Sequence, residues 1–103
     1  MVSEIDAKAA AIKKLSDVVA PIAAKYHVTA VYLFGSRARD DYRDDSDYDF
    51  IIEVSPEYDW DDHMDFMTDT SKALGRDVDV ITRRSLDGDP FSIRVQKEMV
   101  HVC

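Results

Sequence analysis

Apolar residues recur at helical spacing in the first quarter of the chain. Between residues 3 and 26 they stand three or four positions apart, and the charged residues fall elsewhere on the helical wheel. The repeating positions are Ile5, Ala9, Ile12, Leu15, Val19, Ile22 and Tyr26. We expect an amphipathic helix with Ser3 as its N-cap. Pro21 should kink or divide it near Asp17, because proline removes one backbone hydrogen bond.

Three later stretches have the composition of strands. Dense apolar runs at residues 30–34 and 49–54 predict two strands that helices cover on one or both faces. At residues 76–82 acidic and β-branched residues alternate, so Val78 and Val80 should face one way and Asp77 and Asp79 the other. Alternation at residues 99–103 predicts an additional edge strand.

Two further helices are predicted between and after these strands. One should begin at residue 59 or 60 and run to Leu74, with Gly75 as its stop. Asp89 as N-cap and Pro90 at the first helical position predict the other, which should end near residue 98. A stripe along the first of them, which we interpret as core packing, consists of Trp60, Met64, Met67, Ser71 and Leu74. Helices and strands in this order indicate an α/β (α+β) fold.

Length and composition set limits on the architecture. A chain of 103 residues and 11.7 kDa predicts one domain spanning residues 1–103. It has no apolar run near the roughly 20 residues of a membrane span, and its N-terminal residues lack the pattern of a secretory signal. Cys103, the single cysteine, has no intramolecular disulfide partner. We therefore expect a cytoplasmic protein that makes no membrane contact.

The charge of the chain limits its ligands. A formal net charge of −8 should repel the phosphates of long nucleic acids, so we do not expect nucleic-acid binding, whereas a nucleotide remains a plausible ligand. Part of this acidity falls in the segment 40–45, which contains four aspartates and which we interpret as a solvated surface turn.

Asp47 and Asp49 are the first candidates for chemistry. Residues two apart on a strand share a face, so both carboxylates should point the same way. At about 4 Å two such charges repel by roughly 4 kcal/mol at an effective dielectric constant near 20. Either water solvates both or a cation lies between them, and oxygen ligands of this kind suit Mg²⁺.

Gly35 and Ser36 follow directly after the first predicted strand. Glycine lets the backbone turn with positive φ and approach a ligand closely. The N–H groups at the start of the segment that follows can bind an anion. A phosphate-binding turn beside a metal-binding strand is the layout that phosphoryl and nucleotidyl transfer require.

These residues resemble the signature of the minimal nucleotidyltransferases (MNT), small members of the DNA polymerase beta superfamily. The match consists of Gly35-Ser36, ten intervening residues and Asp47-Tyr48-Asp49. The flanking residues Leu33, Phe34, Arg37, Ala38, Arg39 and Ser46 are also similar to that family. The resemblance implies a small mixed β-sheet flanked by helices.

The resemblance also implies roles for particular residues. Asp79 is expected to be the third carboxylate, because the family's third acid lies in a similar sequence context. Asp79 also lies deeper in the predicted strand than Asp77, which is the alternate. Gly35 and Ser36 would hold the phosphates of ATP, and one or two Mg²⁺ ions would lie on Asp47, Asp49 and Asp79. Arg37 and Arg39 would either pair with phosphate oxygens or serve as surface residues.

The implied function is transfer of a nucleotide, AMP from ATP, to a hydroxyl of a partner protein. Members of this family act as antitoxins of all-helical HEPN toxins, and some adenylylate a tyrosine of the toxin. Two alternatives stay open at this point. One is a non-catalytic antitoxin that binds its partner, and the other is an enzyme for a small hydroxyl compound such as an aminoglycoside, with an acceptor pocket built by a homodimer.

Overall fold

The computed structural model describes residues 4–39 and 46–103, with side chains from residue 7 onward in the first helix. The elements in chain order are α1 (Glu4–Lys25), β1 (Val28–Phe34), α2 (Ser36–Arg39), β2 (Tyr48–Val54), α3 (Trp60–Leu74), β3 (Val78–Thr82), a 3-10 turn (Arg83–Ser85), α4 (Pro90–Glu98) and β4 (Val100–His101). The predicted N-cap at Ser3 and the aspartate-rich turn at residues 40–45 lie outside the described residues.

The four strands form one mixed sheet in the order β3-β2-β1-β4. β1 is antiparallel to both β2 and β4, whereas β2 and β3 run parallel. Parallel neighbours need a crossover connection, and α3 supplies it. The predicted α/β (α+β) class with a small mixed sheet is confirmed, and so is the C-terminal edge strand, because Val100 pairs with Leu33.

The first helix is not divided at Pro21. α1 continues from Glu4 to Lys25 with the proline inside it. Its buried residues are Leu15, Val19 and Ala23. Pro21 is exposed, and so is Asp17, whose carbonyl loses its partner to the proline ring. Water can hydrate that carbonyl while the opposite side of the helix stays packed, so the predicted division does not occur.

Two apolar cores lie on opposite faces of the sheet. The first is packed beneath α1 and α3 and includes Phe50 and Ile52 of β2. The second lies beneath α4, where Ile51 packs with Phe34 and Val95. Successive residues of a strand point to opposite faces. Asp49 therefore lies on the same face as Ile51, beside α4.

The ends of α3 follow the predicted signals. Asp59 is the N-cap, and its side chain accepts a hydrogen bond of 2.8 Å from the backbone N–H of Asp62. The Asp62 side chain accepts a bond of 3.2 Å from the N–H of Asp59, which completes a capping box. Gly75 ends the helix in the left-handed conformation at φ 68°, and its N–H donates to the carbonyl of Ser71.

The predicted core stripe of α3 is wrong at its N-terminal end. Trp60 is 71% exposed and Met64 is 39% exposed, while the buried residues of the helix are Phe66 and Thr70. The helix is rotated on the sheet so that the Phe66 side faces the core and the tryptophan side lies on a flank.

None of the described helices is long and apolar enough to cross a membrane.

Candidate functional site

The turn after β1 is built around Gly35. Its φ of 76° lies in the left-handed region. Its carbonyl accepts hydrogen bonds from the N–H groups of Ala38 and Arg39, the last two residues of α2. A Cβ at Gly35 would lie 2.5 Å from Oδ2 of Asp49. Because no real Cβ approaches an oxygen so closely, glycine is what lets the Asp49 carboxylate lie against this turn.

Asp49 and Asp79 occupy matching positions on the parallel strands β2 and β3. The pKa of the Asp49 carboxyl is raised, first by burial and then by the charge of Asp79 and a hydrogen bond between the two carboxyls. Asp47 raises it further, whereas the charge of Arg39 acts in the opposite direction. A carboxyl whose ionisation is disfavoured by a neighbouring carboxylate has the donor chemistry that suits a hard cation such as Mg²⁺.

Asp47 lies just before β2 and is exposed. It lines an open groove of about 520 Å³ whose other walls come from α3 and from the start of β3. The remaining lining residues are Met67, Thr68, Ser71, Lys72, Asp77, Val78 and Asp79. The candidates for the third acid, Asp79 and its alternate Asp77, therefore both line the same groove as Asp47.

The structure brings the predicted acids together in part. Asp79 lies beside Asp49, and Asp47 is close enough for its charge to act on that carboxyl. In the part of the chain that the structure describes, no group of three or more His, Cys, Asp or Glu side chains is arranged to hold a metal ion. The pair Asp49 and Asp79 fits a cation by its chemistry, and a ligand set of all three acids stays a prediction.

Arg37 connects the turn to the entry of β2. Its Nε and Nη2 donate to the carbonyl of Ser46 at 3.1 and 2.7 Å. Its guanidinium also lies 3.9 Å from the centre of the Tyr48 ring, in a cation–π contact. These contacts hold the residues that flank Asp47 against α2. The sequence reasoning missed this role, and its predicted alternative of phosphate binding remains untested.

Arg39 and Lys8 complete the surroundings of the turn. Nη1 of Arg39 donates to Oε2 of Glu98 at 3.2 Å, which links α2 to α4 beside the carboxylates. Nζ of Lys8 donates to the carbonyl of Ala38 at 2.8 Å, so α1 holds the end of α2 in place. Lys8 was not predicted, because a contact across 30 positions leaves no local pattern in the sequence.

Comparison with known proteins places these residues in a family context. The family model described as "Polymerase beta, Nucleotidyltransferase" matches residues 17–101. This stretch contains the Gly35 turn and all the candidate acids.

Three known proteins are similar to this chain, the third of them in fold alone. MJ1379 of Methanocaldococcus jannaschii, named as a candidate protein adenylyltransferase, is 28% identical over 80 residues, which are 76% of this chain and 80% of that protein. The structure of a candidate minimal nucleotidyltransferase superposes with a TM-score of 0.73 at 26% identity and covers 87% of this chain and 91% of its own. An MNT antitoxin in complex with a tri-AMPylated HEPN toxin of Shewanella oneidensis superposes with a TM-score of 0.65 at 17% identity, over 89% of this chain and 71% of that chain.

Proposed function

This chain belongs to the polymerase beta nucleotidyltransferase family, and from that premise we propose that it transfers AMP from ATP to a hydroxyl of a partner protein in the presence of Mg²⁺. The observation that carries the proposal is the contact between the Gly35 turn and the Asp49 carboxylate, which faces Asp79. A phosphate-binding turn and a carboxylate pair are thereby adjacent, as a triphosphate with a bound cation requires. The domain that performs this reaction would be the single unit of residues 1–103.

Each residue near the turn has a distinct part in this reaction. Gly35 lets the Asp49 carboxylate lie against the turn, and the Ser36 hydroxyl and the Arg39 guanidinium can donate to phosphate oxygens. Asp49 and Asp79, together with Asp47, would hold Mg²⁺. When bound, the ion neutralises the charge of the phosphate oxygens and stabilises the leaving pyrophosphate.

The transfer itself is a single displacement at the α-phosphorus of ATP. The acceptor oxygen forms a bond to that phosphorus, the bond to the bridging oxygen of the β-phosphate breaks, and pyrophosphate leaves. Asp79 is exposed and is one of the residues that line the groove, and it would accept the proton of the attacking hydroxyl. The open groove lined by Asp47 and Asp79 gives the acceptor a path to this position.

The acceptor would be a HEPN-type toxin, and this chain would be its antitoxin. The Shewanella oneidensis MNT antitoxin bound to an AMPylated HEPN toxin supports this assignment. The name of MJ1379, a candidate protein adenylyltransferase, supports a protein as the acceptor. The open groove beside the carboxylates suits a protein side chain as acceptor, because its walls leave access from outside.

Incubation of the protein with α-labelled ATP, Mg²⁺ and a HEPN-type protein encoded by a neighbouring gene tests the proposal. We expect label on the HEPN protein, and none with the Asp47→Asn, Asp49→Asn double variant. Asp79→Asn should also abolish transfer, whereas Asp77→Asn, at the alternate position in the same groove, should retain it. Label transferred by the double variant would contradict the mechanism, and inhibition of the toxin without label would identify a non-catalytic antitoxin instead.

A further inference from the structure

One flank of α3 carries large apolar side chains that the core leaves uncovered. Trp60, the single tryptophan of the chain, is 71% exposed, and Met64 one turn later is 39% exposed. Helical spacing continues the same flank through Met67, which is half-buried. We call Trp60, Met64 and Met67 the apolar flank. A tryptophan so exposed is typical of the anchors of protein–protein interfaces.

The exposed indole is held in one orientation. The rings of Trp60 and His63 stack with their centres 5.2 Å apart and their planes 9° from parallel. His63 in turn bonds to the hydroxyl of Tyr58, which is a buried residue. A side chain that is already ordered loses less conformational entropy when a partner binds it, so this arrangement favours docking.

The apolar flank leads to the candidate site. Met67, Thr68 and Ser71 form the α3 wall of the groove. Asp47 and Asp79 line the same groove. From residue 60 to residue 71 the helix rises by about 16 Å, so a partner seated on Trp60 and Met64 has a short path to the carboxylates.

Charge along the border of the flank indicates what such a partner carries. Asp61 and Asp65 are exposed. Asp61 lies three positions before Met64 and is therefore its neighbour on the helix surface, and Asp65 lies one turn after Asp61 on the same side. A surface that buries the flank therefore needs lysine or arginine side chains opposite these two acids, because an acidic rim would be repelled.

We propose that the apolar flank, bordered by Asp61 and Asp65, is the docking surface for the acceptor protein. The partner surface consists of an apolar pocket for Trp60 and Met64 with Lys or Arg side chains at its rim. The identity of the occupant as acceptor rests on the proposed function, whereas its chemistry rests on the side chains of α3. Docking here positions a partner hydroxyl at the groove between α3 and β3.

The other exposed large apolar side chains of the described residues, Val18 of α1 and Phe91 and Ile93 of α4, do not form such a surface. Phe91 and Ile93 of α4 are each 45% exposed. They stand two positions apart, which places them about 200° apart around the helix and hence on opposite flanks. This pair is a matched control, because its side chains are similarly exposed but do not form one continuous apolar surface.

Fluorescence of Trp60 gives a direct test of the surface. The probe is a 14-residue amphipathic helical peptide with leucine on one face and lysine elsewhere, compared with the same peptide carrying glutamate in place of lysine. We expect the lysine peptide to bind with a blue shift of the emission and the glutamate peptide to leave the emission unchanged.

By anisotropy of a labelled peptide, Met64→Ser and the Asp61→Asn, Asp65→Asn double variant should each weaken binding about tenfold. The Phe91→Ser, Ile93→Ser variant should bind normally. Equal binding by all variants would overturn the proposal, because it would show attraction by net charge alone.

Label transfer separates this proposal from the proposed function. With the HEPN protein as acceptor, the Trp60→Ser, Met64→Ser variant should raise KM for that protein about tenfold or more, with kcat affected much less. A normal KM in this variant would reject the docking surface and leave the function standing. Peptide binding at the flank without any label transfer by the wild type would reject the function and retain the surface. Sedimentation that shows a dimer lost in the same variant would identify a second copy as the occupant and overturn the proposal.

Discussion

Two carboxylates of this acidic protein, Asp62 and Asp49, lie in opposite electrostatic settings. At the start of α3, the Asp62 carboxylate accepts hydrogen bonds from the N–H of Asp59 and from Nδ1 of His27 at 2.9 Å. Its pKa is lowered, and the bond to His27 is the largest cause. At the edge of the sheet, Asp49 faces Asp79, and its pKa is raised by burial and by that neighbouring charge.

The difference separates a structural acid from a candidate catalytic one. Asp62 meets donors supplied by the protein itself, so its charge stabilises the fold. Asp49 meets another carboxylate, so ionising it costs stability that a bound cation can recover. Acidity alone would not distinguish the two, since 21 of the 103 residues are Asp or Glu.

Removing the charge of Asp49 should have the largest effect. Asp49→Asn keeps the side-chain shape, and we expect label transfer to fall by about 100- to 1000-fold. The free energy of unfolding should rise by about 0.2–1 kcal/mol, because like charges on adjacent strands destabilise a sheet. Single-turnover transfer and urea denaturation measure the two effects. Asp17→Asn, at an exposed position of α1, should change neither, and a loss of stability in Asp49→Asn would contradict the interpretation.

Substitution of two glycines distinguishes the effect of backbone strain from the effect of contact with the candidate site. Gly35 and Gly75 have φ of 76° and 68°, so alanine at either position should cost about 1–2 kcal/mol of stability. A Cβ at Gly75 meets no atom within 4 Å, whereas one at Gly35 meets Asp49. We expect Gly35→Ala to lower transfer about tenfold or more, since a displacement of 1 Å at a reacting site costs up to about 100-fold. Gly75→Ala should keep its activity, and equal losses of transfer in both would show that strain alone is responsible.

Asp62→Ala should affect stability without affecting transfer. The substitution removes the acceptor for Asp59 and His27 at the start of α3. We expect a lower urea midpoint, with a shift smaller than that of Gly35→Ala, because the Asp62 bonds lie near solvent. Label transfer should stay at the wild-type rate in the same preparations. A large loss of transfer would mean that this carboxylate acts on the site.

The smallest expected effect is a pH dependence at His27. Asp62 raises the pKa of His27, so the stability from this pair is complete below the usual pKa of 6.5 and is lost as the pH rises through the raised value. The lowered pKa of Asp62 means that the contribution is also lost as the pH falls below the usual value of 3.8. We expect the stability advantage of the wild type over His27→Asn to shrink as the pH rises above the usual histidine pKa of 6.5. Asparagine tolerates the φ of 64° at this position, so the comparison isolates the charge.

The titration of Asp49 should also lower the stability of the fold as the pH rises, with the decrease beginning at a lower pH than that of His27. Its raised pKa means that the folded state holds the proton more tightly, so stability decreases as the pH rises from the usual value of 3.8 through the raised one. Asp49→Asn should remove this decrease and leave the His27 effect intact. A wild-type curve that is flat over both ranges would contradict both assignments.

Local sequence signals determined the elements and their ends. Asp59 and Gly75 at the two ends of α3 and Asp89 before α4 act within a few residues of their own positions. Caps and turns are decided by backbone groups near in sequence, so a pattern can predict them. The signature from Gly35 to Asp49 likewise predicted the family, which the match over residues 17–101 confirms.

Tertiary packing decided how these elements face one another. The register that sets Asp79 beside Asp49, and the rotation of α3 that buries Phe66 and exposes Trp60, depend on which surfaces pack together. A periodic pattern shows that a helix has an apolar side, but two stripes on α3 compete for the core, and the burial available against α1 and the sheet selects between them. Periodicity thus determined the helices and strands from the sequence alone. Which side of each element packs against the core was decided in the assembled fold, because packing energy depends on neighbours distant along the chain.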